Sequence, residues 1–198
     1  MKSQIIVTIG REFGSGGHYI AEKVAEKLGV TIYDKELLQK VIEHHGFTHD
    51  EIHKYDEKPT NFFLSRRVKN HSNSIEEIMA EKLFDFLQEK ADSGESFVVV
   101  GRCSDYILKE YSNALRVFVL GDKEVKTQRV MDVLGVSKRK AHIMMKKMDK
   151  KRKTYHNHYS SIKWGDSRGY HMSINSSLLG LDGTADMIVD AVKKFKEI

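Results

Sequence analysis

Four glycines fall within the eight residues Gly10-Arg11-Glu12-Phe13-Gly14-Ser15-Gly16-Gly17, and His18 follows them. Glycines at that density let backbone N–H groups converge, and convergent N–H groups bind anions, phosphate above all. The stretch matches half of the phosphate-loop pattern G-x-x-x-x-G-K-[ST]: Gly14-Ser15-Gly16 fits, while Gly17 stands at the Lys position and His18 at the Ser or Thr position. The two residues missing are the ones that touch the outer phosphates and magnesium. Taken alone, the loop is also compatible with a tight strand-to-helix turn that binds nothing.

The elements around the loop suit a phosphate cradle. Ile5-Ile6-Val7-Thr8-Ile9 reads as a strand buried on both faces, and Ile20, Val24, Ala25 and Leu28 recur at helical spacing until Gly29 stops them. Val30-Thr31-Ile32-Tyr33 reads as a second strand, with Asp34 capping a helix that carries Leu37, Leu38, Val41 and Ile42. Residues 46–74 form an irregular excursion with a short helix near 50–55 and basic residues Arg66, Arg67 and Lys69. Ser74 and Glu77 make a capping box for a helix whose core stripe is Ile75, Ile78, Met79, Leu83, Phe86 and Leu87. Phe97-Val98-Val99-Val100 is a buried strand that delivers Gly101-Arg102-Cys103 at its carboxyl end, before a helix over 104–110. Residues 115–120 repeat the strand pattern, and Asp122 is expected to cap the helix that follows. Strands alternating with helices, each strand nearly all apolar, predict a parallel sheet covered on both faces. Ligands of such sheets sit beyond the carboxyl ends of the strands, where residues 10–18, Asp34 and Arg102 all fall.

Residues 138–153 carry nine Lys and Arg against the single acid Asp149, with Ala141, Met144, Met145 and Met148 as a thin apolar stripe. One-signed charge at helical spacing repels itself, so the pattern points either to a solvated face or to phosphate binding. Trp164-Gly165-Asp166 reads as a turn, residues 170–175 as a late strand, and a last helix starts near Asp182. The net charge of +5 favours acidic partners, and 40% hydrophobic with 31% charged residues fit one soluble domain over 1–198. No apolar run approaches the roughly 20 residues that span a bilayer, and the opening segment is too short for a signal peptide, so a cytoplasmic location is expected. The single Cys103 excludes an internal disulfide framework, and His44, His45, His49 and His53 lack ligand spacing; no side chain is assigned to a metal.

Five separated motifs together resemble the cytidylate kinase-like family of P-loop nucleoside monophosphate kinases. They are residues 8–17, Tyr33-Asp34-Lys35-Glu36-Leu37, Val100-Gly101-Arg102, Asp149-Lys150-Lys151-Arg152 with Tyr155, and Trp164-Gly165-Asp166 with Tyr170. The resemblance implies a three-layer α/β/α P-loop kinase fold with a central five-stranded parallel sheet, a substrate-binding excursion at about 46–74 and a basic helical lid at about 137–165. It implies ATP and Mg2+ as cofactors and transfer of the γ-phosphoryl group to a nucleoside monophosphate such as CMP or dCMP, or to a related small acceptor. Carried over by position, Gly10, Arg11, Gly14, Ser15, Gly16, Gly17 and His18 would hold the donor phosphates. Asp34, Lys40 and Arg102 would lie on the acceptor, and Arg102, Arg152 and Arg11 would act in catalysis.

Three departures accompany the resemblance: Gly17 and His18 replace Lys and Ser or Thr, and Cys103 replaces an Asp that follows Gly-Arg in authentic cytidylate kinases. They motivate an alternative, a non-catalytic nucleotide-binding or regulatory protein derived from a kinase. Arg11, His18 and the lid cations are the candidates to make up the lost charge. A nucleotide donor and a small phosphate-bearing acceptor are the expected partners. No membrane partner is expected, nucleic-acid binding ranks last, and homo-oligomerisation is left open.

Overall fold

The computed structural model describes residues 4–48, 50, 67–68, 71–72 and 75–195. Five parallel strands make the central sheet: β1 (Ile6–Arg11), β2 (Thr31–Tyr33), β5 (Phe97–Val100), β6 (Ala114–Leu120) and β7 (Met172–Asn175), in the order β2-β5-β1-β6-β7. A separate two-residue ribbon pairs β3 (Arg67–Val68) with β4 (His71–Ser72). β1 lies at the centre, with Ile6 opposite Phe97 on one side and opposite Ala114 on the other.

Side-chain alternation along the strands explains why helices cover both faces. One face presents Val7, Ile9, Val98, Val100, Leu115, Val117 and Val119 to helices α1 (Gly17–Leu28) and α7 (Ser176–Phe195). The other presents Ile6, Tyr33, Phe97, Val99 and Ala114 to α2 (Lys35–His44) and α3 (Ile75–Asp92). Helix α4 (Ser104–Ile107) follows β5, and α5 (Lys123–Leu134) follows β6. The basic segment is one continuous helix, α6 (Lys138–Tyr159), capped by the Ser137 hydroxyl, which accepts from the Lys140 N–H. Its apolar stripe buries Ala141 and Met145 against Val130 of α5, with Phe13 of the glycine loop packed on the same cluster. The lid helix is thereby seated on the loop.

One local expectation is met and three are refined. Asp34 caps α2 as expected, its Oδ1 accepting from the Leu37 N–H at 2.9 Å. Asp122 holds the N-cap position of α5 but makes no side-chain cap; its Oδ1 accepts from Asn175 Nδ2 at 2.8 Å and so ties α5 to the end of β7. The helix expected over 104–110 ends at Ile107, and the last helix begins at Ser176 rather than near Asp182, with a kink at Gly180 (φ 69°, ψ 179°). Beyond residue 50, the expected helix near 50–55 lies outside the described residues, as does the Ser74 cap.

Candidate active site

β1 ends at Arg11, and the chain turns through Gly14 (φ 83°) and Gly16 (φ 79°) into α1. Those left-handed conformations disfavour any Cβ. Space excludes one as well: a Cβ on Gly14 would come within 2.9 Å of Val130 Cγ2, and one on Gly16 would overlap Leu181, just past the Gly180 kink. The loop carbonyls are tied back from several elements. Ser15 is fully buried and its hydroxyl donates to the Glu12 carbonyl at 2.9 Å; Ser176 Oγ donates to the Ser15 carbonyl at 2.7 Å; Arg129 Nη1 donates to the Gly14 carbonyl at 2.6 Å. Gly14, Gly16, Gly17, His18 and Tyr19 then form part of the lining of a cleft of about 680 Å3. The first-turn N–H groups of α1 lack intrahelical partners, and that turn carries no acidic side chain to compete with an anion.

Positive charge gathers at this cleft. Arg11 lines it beside Arg152 of α6, and Arg152 Nη1 donates to the Arg11 carbonyl at 3.1 Å while its guanidinium lies 5.6 Å from the Phe13 ring centroid. Burial, then the Arg152 and Arg102 charges, pull the Arg11 guanidinium well below its usual range, and Asp149 alone acts in the other direction. Burial likewise lowers Arg152, against Asp149, whose Oδ1 stands 3.9 Å from Nη1. The same Asp149 Oδ1 accepts from the Phe13 N–H at 2.7 Å, and burial foremost pushes its carboxyl up. Asp149 is the carboxylate that opposes the Arg11 and Arg152 charges, and a phosphate would relieve them further.

Arg102, which is not among the residues lining the cleft, follows Gly101, the glycine that abuts the Arg11 guanidinium, on a strained turn. Gly101, Arg102 and Cys103 have φ of 73°, 56° and 57°, so three successive residues are left-handed and two of them carry a Cβ. Each such non-glycine residue costs on the order of 1–2 kcal/mol, and strain of this kind gathers where a side chain must be aimed. Cys103, where authentic cytidylate kinases have Asp, is buried with its thiol toward the His156 carbonyl at 3.8 Å. The nearby buried carboxylate, Asp105, is bound to His156 Nε2 at 2.7 Å and thus anchors α6 to the β5 end of the sheet. Burial, then Asp105, push the Cys103 thiol up, so it stays protonated. Iodoacetamide at pH 8 is expected to label the native chain at least about tenfold more slowly than the urea-unfolded chain. Equal rates would show the thiol to be exposed.

Other expected site residues are placed with less convergence. His18 lines the cleft with its side chain 55% exposed, and its Nε2 faces carboxylates, Glu22 Oε1 at 3.4 Å and Asp34 Oδ2 at 3.8 Å. Asp34 lines the cleft together with Lys35 and Glu36, whereas Lys40 is exposed on α2 outside that lining. Gly10 packs under Phe118 and Tyr170 and is structural in its contacts. Arg129, Leu181 and Val133 join the site without having been singled out by the sequence. Glu12, although it lines the cleft, is occupied by the buried Lys126 (2.6 Å) and the Gly121 N–H (3.3 Å).

A magnesium ligand set does not fit these side chains. Position 18 offers an imidazole turned to carboxylates in place of a hydroxyl, and among the described residues no group of three or more His, Cys, Asp or Glu is placed to hold a metal ion.

Comparison with solved structures gives the class first. Over 98% of this chain and 95% of theirs, the fold matches a shikimate kinase from Acinetobacter baumannii in complex with shikimate (TM-score 0.52, 13% identity). A gluconokinase from Sinorhizobium meliloti 1021 matches over 100% of this chain and 96% of its own (TM-score 0.59, 13% identity). The fold is therefore the three-layer P-loop kinase fold. A crystal structure of an uncharacterized protein from Eubacterium ventriosum ATCC 27560 is 40% identical over 96% of this chain and 99% of that one, with a TM-score of 0.77. The model of the cytidylate kinase-like family matches residues 6–178, and the chain belongs to that family. A comparison with curated proteins finds no match. Among the described residues, no helix is long and apolar enough to cross a membrane.

Proposed function

We propose that the chain is an ATP-dependent phosphotransferase of the nucleoside monophosphate kinase type, moving the γ-phosphoryl group to a nucleoside monophosphate such as CMP or dCMP, or to a related small acceptor. The observation that carries this reading is that Arg11, at the carboxyl end of β1, and Arg152 of α6 line the cleft beside the glycine loop, with Arg102 on the turn that follows β5. Phosphoryl transfer is mostly positioning and charge neutralisation, which a backbone cradle with several guanidinium groups supplies. In this reading the loop and the first turn of α1 hold the donor phosphates, and Val130, Val133, Leu134 and Leu181 form the apolar wall for the base. Arg152 engages the moving phosphoryl group, and Arg102 with Asp34 addresses the acceptor.

An ADP-release assay over the common ribo- and deoxyribonucleoside monophosphates, with shikimate and gluconate as further acceptors, tests the proposal. Turnover with one acceptor class is the expected result, and none above background with any of them sinks it. Gly17 and His18 favour one other reading, a regulatory module that binds nucleotide without turnover. Calorimetry with ATP separates the two, because binding without ADP release supports the module.

A further inference from the structure

We propose that Arg11 is the donor-phosphate cation of this site, the charge having moved from the first turn of the helix to the end of the strand. The inference deepens the phosphotransferase reading and rests on it. The phosphate-loop pattern G-x-x-x-x-G-K-[ST] places its first Gly at position 11 and its Lys at position 17. This chain has the two exchanged, Arg11 and Gly17, with the second pattern glycine kept at Gly16.

The exchange has a steric cause on both sides. A Cβ on Gly17 would lie 2.5 Å from Arg11 Cβ and 2.8 Å from Arg11 Cγ, so no side chain fits at 17 while the arginine stem crosses it. The guanidinium then runs on to Gly101, where a Cβ would overlap Nη1, and Gly101 is itself left-handed at φ 73°. Arg11 is thus threaded between two glycines on separate elements, and both vacancies are shaped to it. Its carbonyl is held by Arg152 Nη1 at 3.1 Å, and Arg11 lines the same cleft as Gly14, Gly16 and Gly17. A half-buried guanidinium facing the Arg102 and Arg152 charges is held against its own electrostatic preference, the state that a polyphosphate would relieve. A guanidinium also offers planar paired donors to phosphate oxygens, where an ammonium offers a point charge.

The experiment is ATP calorimetry and thermal melting on the full chain and four variants. Arg11→Met keeps the stem and removes the charge. Arg11→Lys keeps a charge. Gly17→Lys restores the pattern lysine without clearing its space. Arg11→Gly/Gly17→Lys reverses the exchange, glycine being needed at 11 because even an alanine Cβ would stay 2.5 Å from the new side chain. Arg11→Met is expected to weaken ATP binding roughly 10- to 100-fold, the range of a charge-assisted hydrogen bond, without lowering the ligand-free melting temperature. Arg11→Lys should recover part of the affinity and the reversed pair most of it, whereas Gly17→Lys alone should weaken binding. Unchanged ATP affinity in Arg11→Met overturns the proposal. So does a loss that comes with a lower melting temperature and no recovery in either lysine variant, since that describes a strut. If the parent chain binds no nucleotide at all, the phosphotransferase reading falls and takes this inference with it, a result distinct from the other two.

Discussion

Arg152→Ala is expected to lower kcat by roughly 10³-fold while changing ATP affinity far less, the behaviour of an arginine engaged only as charge develops on a moving phosphoryl group. The geometry supports a role in rate over one in docking. Arg152 is borne by α6, outside the glycine loop, and touches that loop through its 3.1 Å bond to the Arg11 carbonyl and its position over the Phe13 ring. In the proposed reading the donor phosphates are held by the loop, the α1 terminus and Arg11, the acceptor is met by Arg102, and Arg152 is the cation left for the phosphoryl group that moves between them. Removing Arg152 relieves Arg11 of one of the two charges pressing on it but also takes away the partner of Asp149 at 3.9 Å, so a melt of the ligand-free variant accompanies the kinetics. Arg152→Lys should recover little, because a single ammonium cannot span two phosphoryl oxygens as the guanidinium fork does. Steady-state kinetics with whichever acceptor supports turnover, paired with ATP calorimetry on the same variant, measures both quantities. A kcat within about threefold of the parent would move the rate-enhancing role elsewhere.

Periodicity made the scaffold legible. Val98, Val99 and Val100 sit in an unbroken apolar run because β5 is buried on both faces, and the stripe Met79, Leu83 and Leu87 reads as helix because it faces one side of the same sheet. What periodicity does not carry is the direction of a long side chain. Arg11 reads as one more polar residue in a loop, and only coordinates show its stem across Gly17 and its head against Gly101. Arg129 was hidden for the same reason: its spacing is that of any exposed arginine on α5, yet it donates to the Gly14 carbonyl. The start of α7 was misplaced because Gly180 interrupts the helix, and that same kink carries Leu181 over Gly16. The strained turn through Arg102 and Cys103 has no marker beyond Gly101, since neither non-glycine residue advertises a left-handed conformation.

The role of Asp149 follows from the same charge balance and gives the opposite sign to Arg11. Asp149→Asn keeps an oxygen for the Phe13 N–H, now held at 2.7 Å, and removes the carboxylate that opposes Arg11 and Arg152. Breaking a fully buried ion pair from one side costs about 3–5 kcal/mol. Here Asp149 and Arg152 are 23% and 21% exposed and stand 3.9 Å apart, and burial already pushes the Asp149 carboxyl up, so a much smaller cost is expected, at most about 1 kcal/mol, or on the order of 2–4 °C in melting temperature for a chain of this size. The loss should be confined to the ligand-free protein. With inorganic phosphate or ATP in the cleft the anion supplies the missing negative charge, so the variant's melting temperature should rise more steeply with ligand than the parent's. Its affinity for ATP should increase by roughly tenfold, because a carboxylate beside the phosphates is gone. Arg11→Met and Asp149→Asn therefore act in opposite directions on both stability and affinity if the cluster is a charge imbalance awaiting a phosphate. Thermal melts of the two variants across a phosphate titration read this directly, and parallel shifts in both would show that the cluster is held together by packing and not by the charge it keeps in reserve.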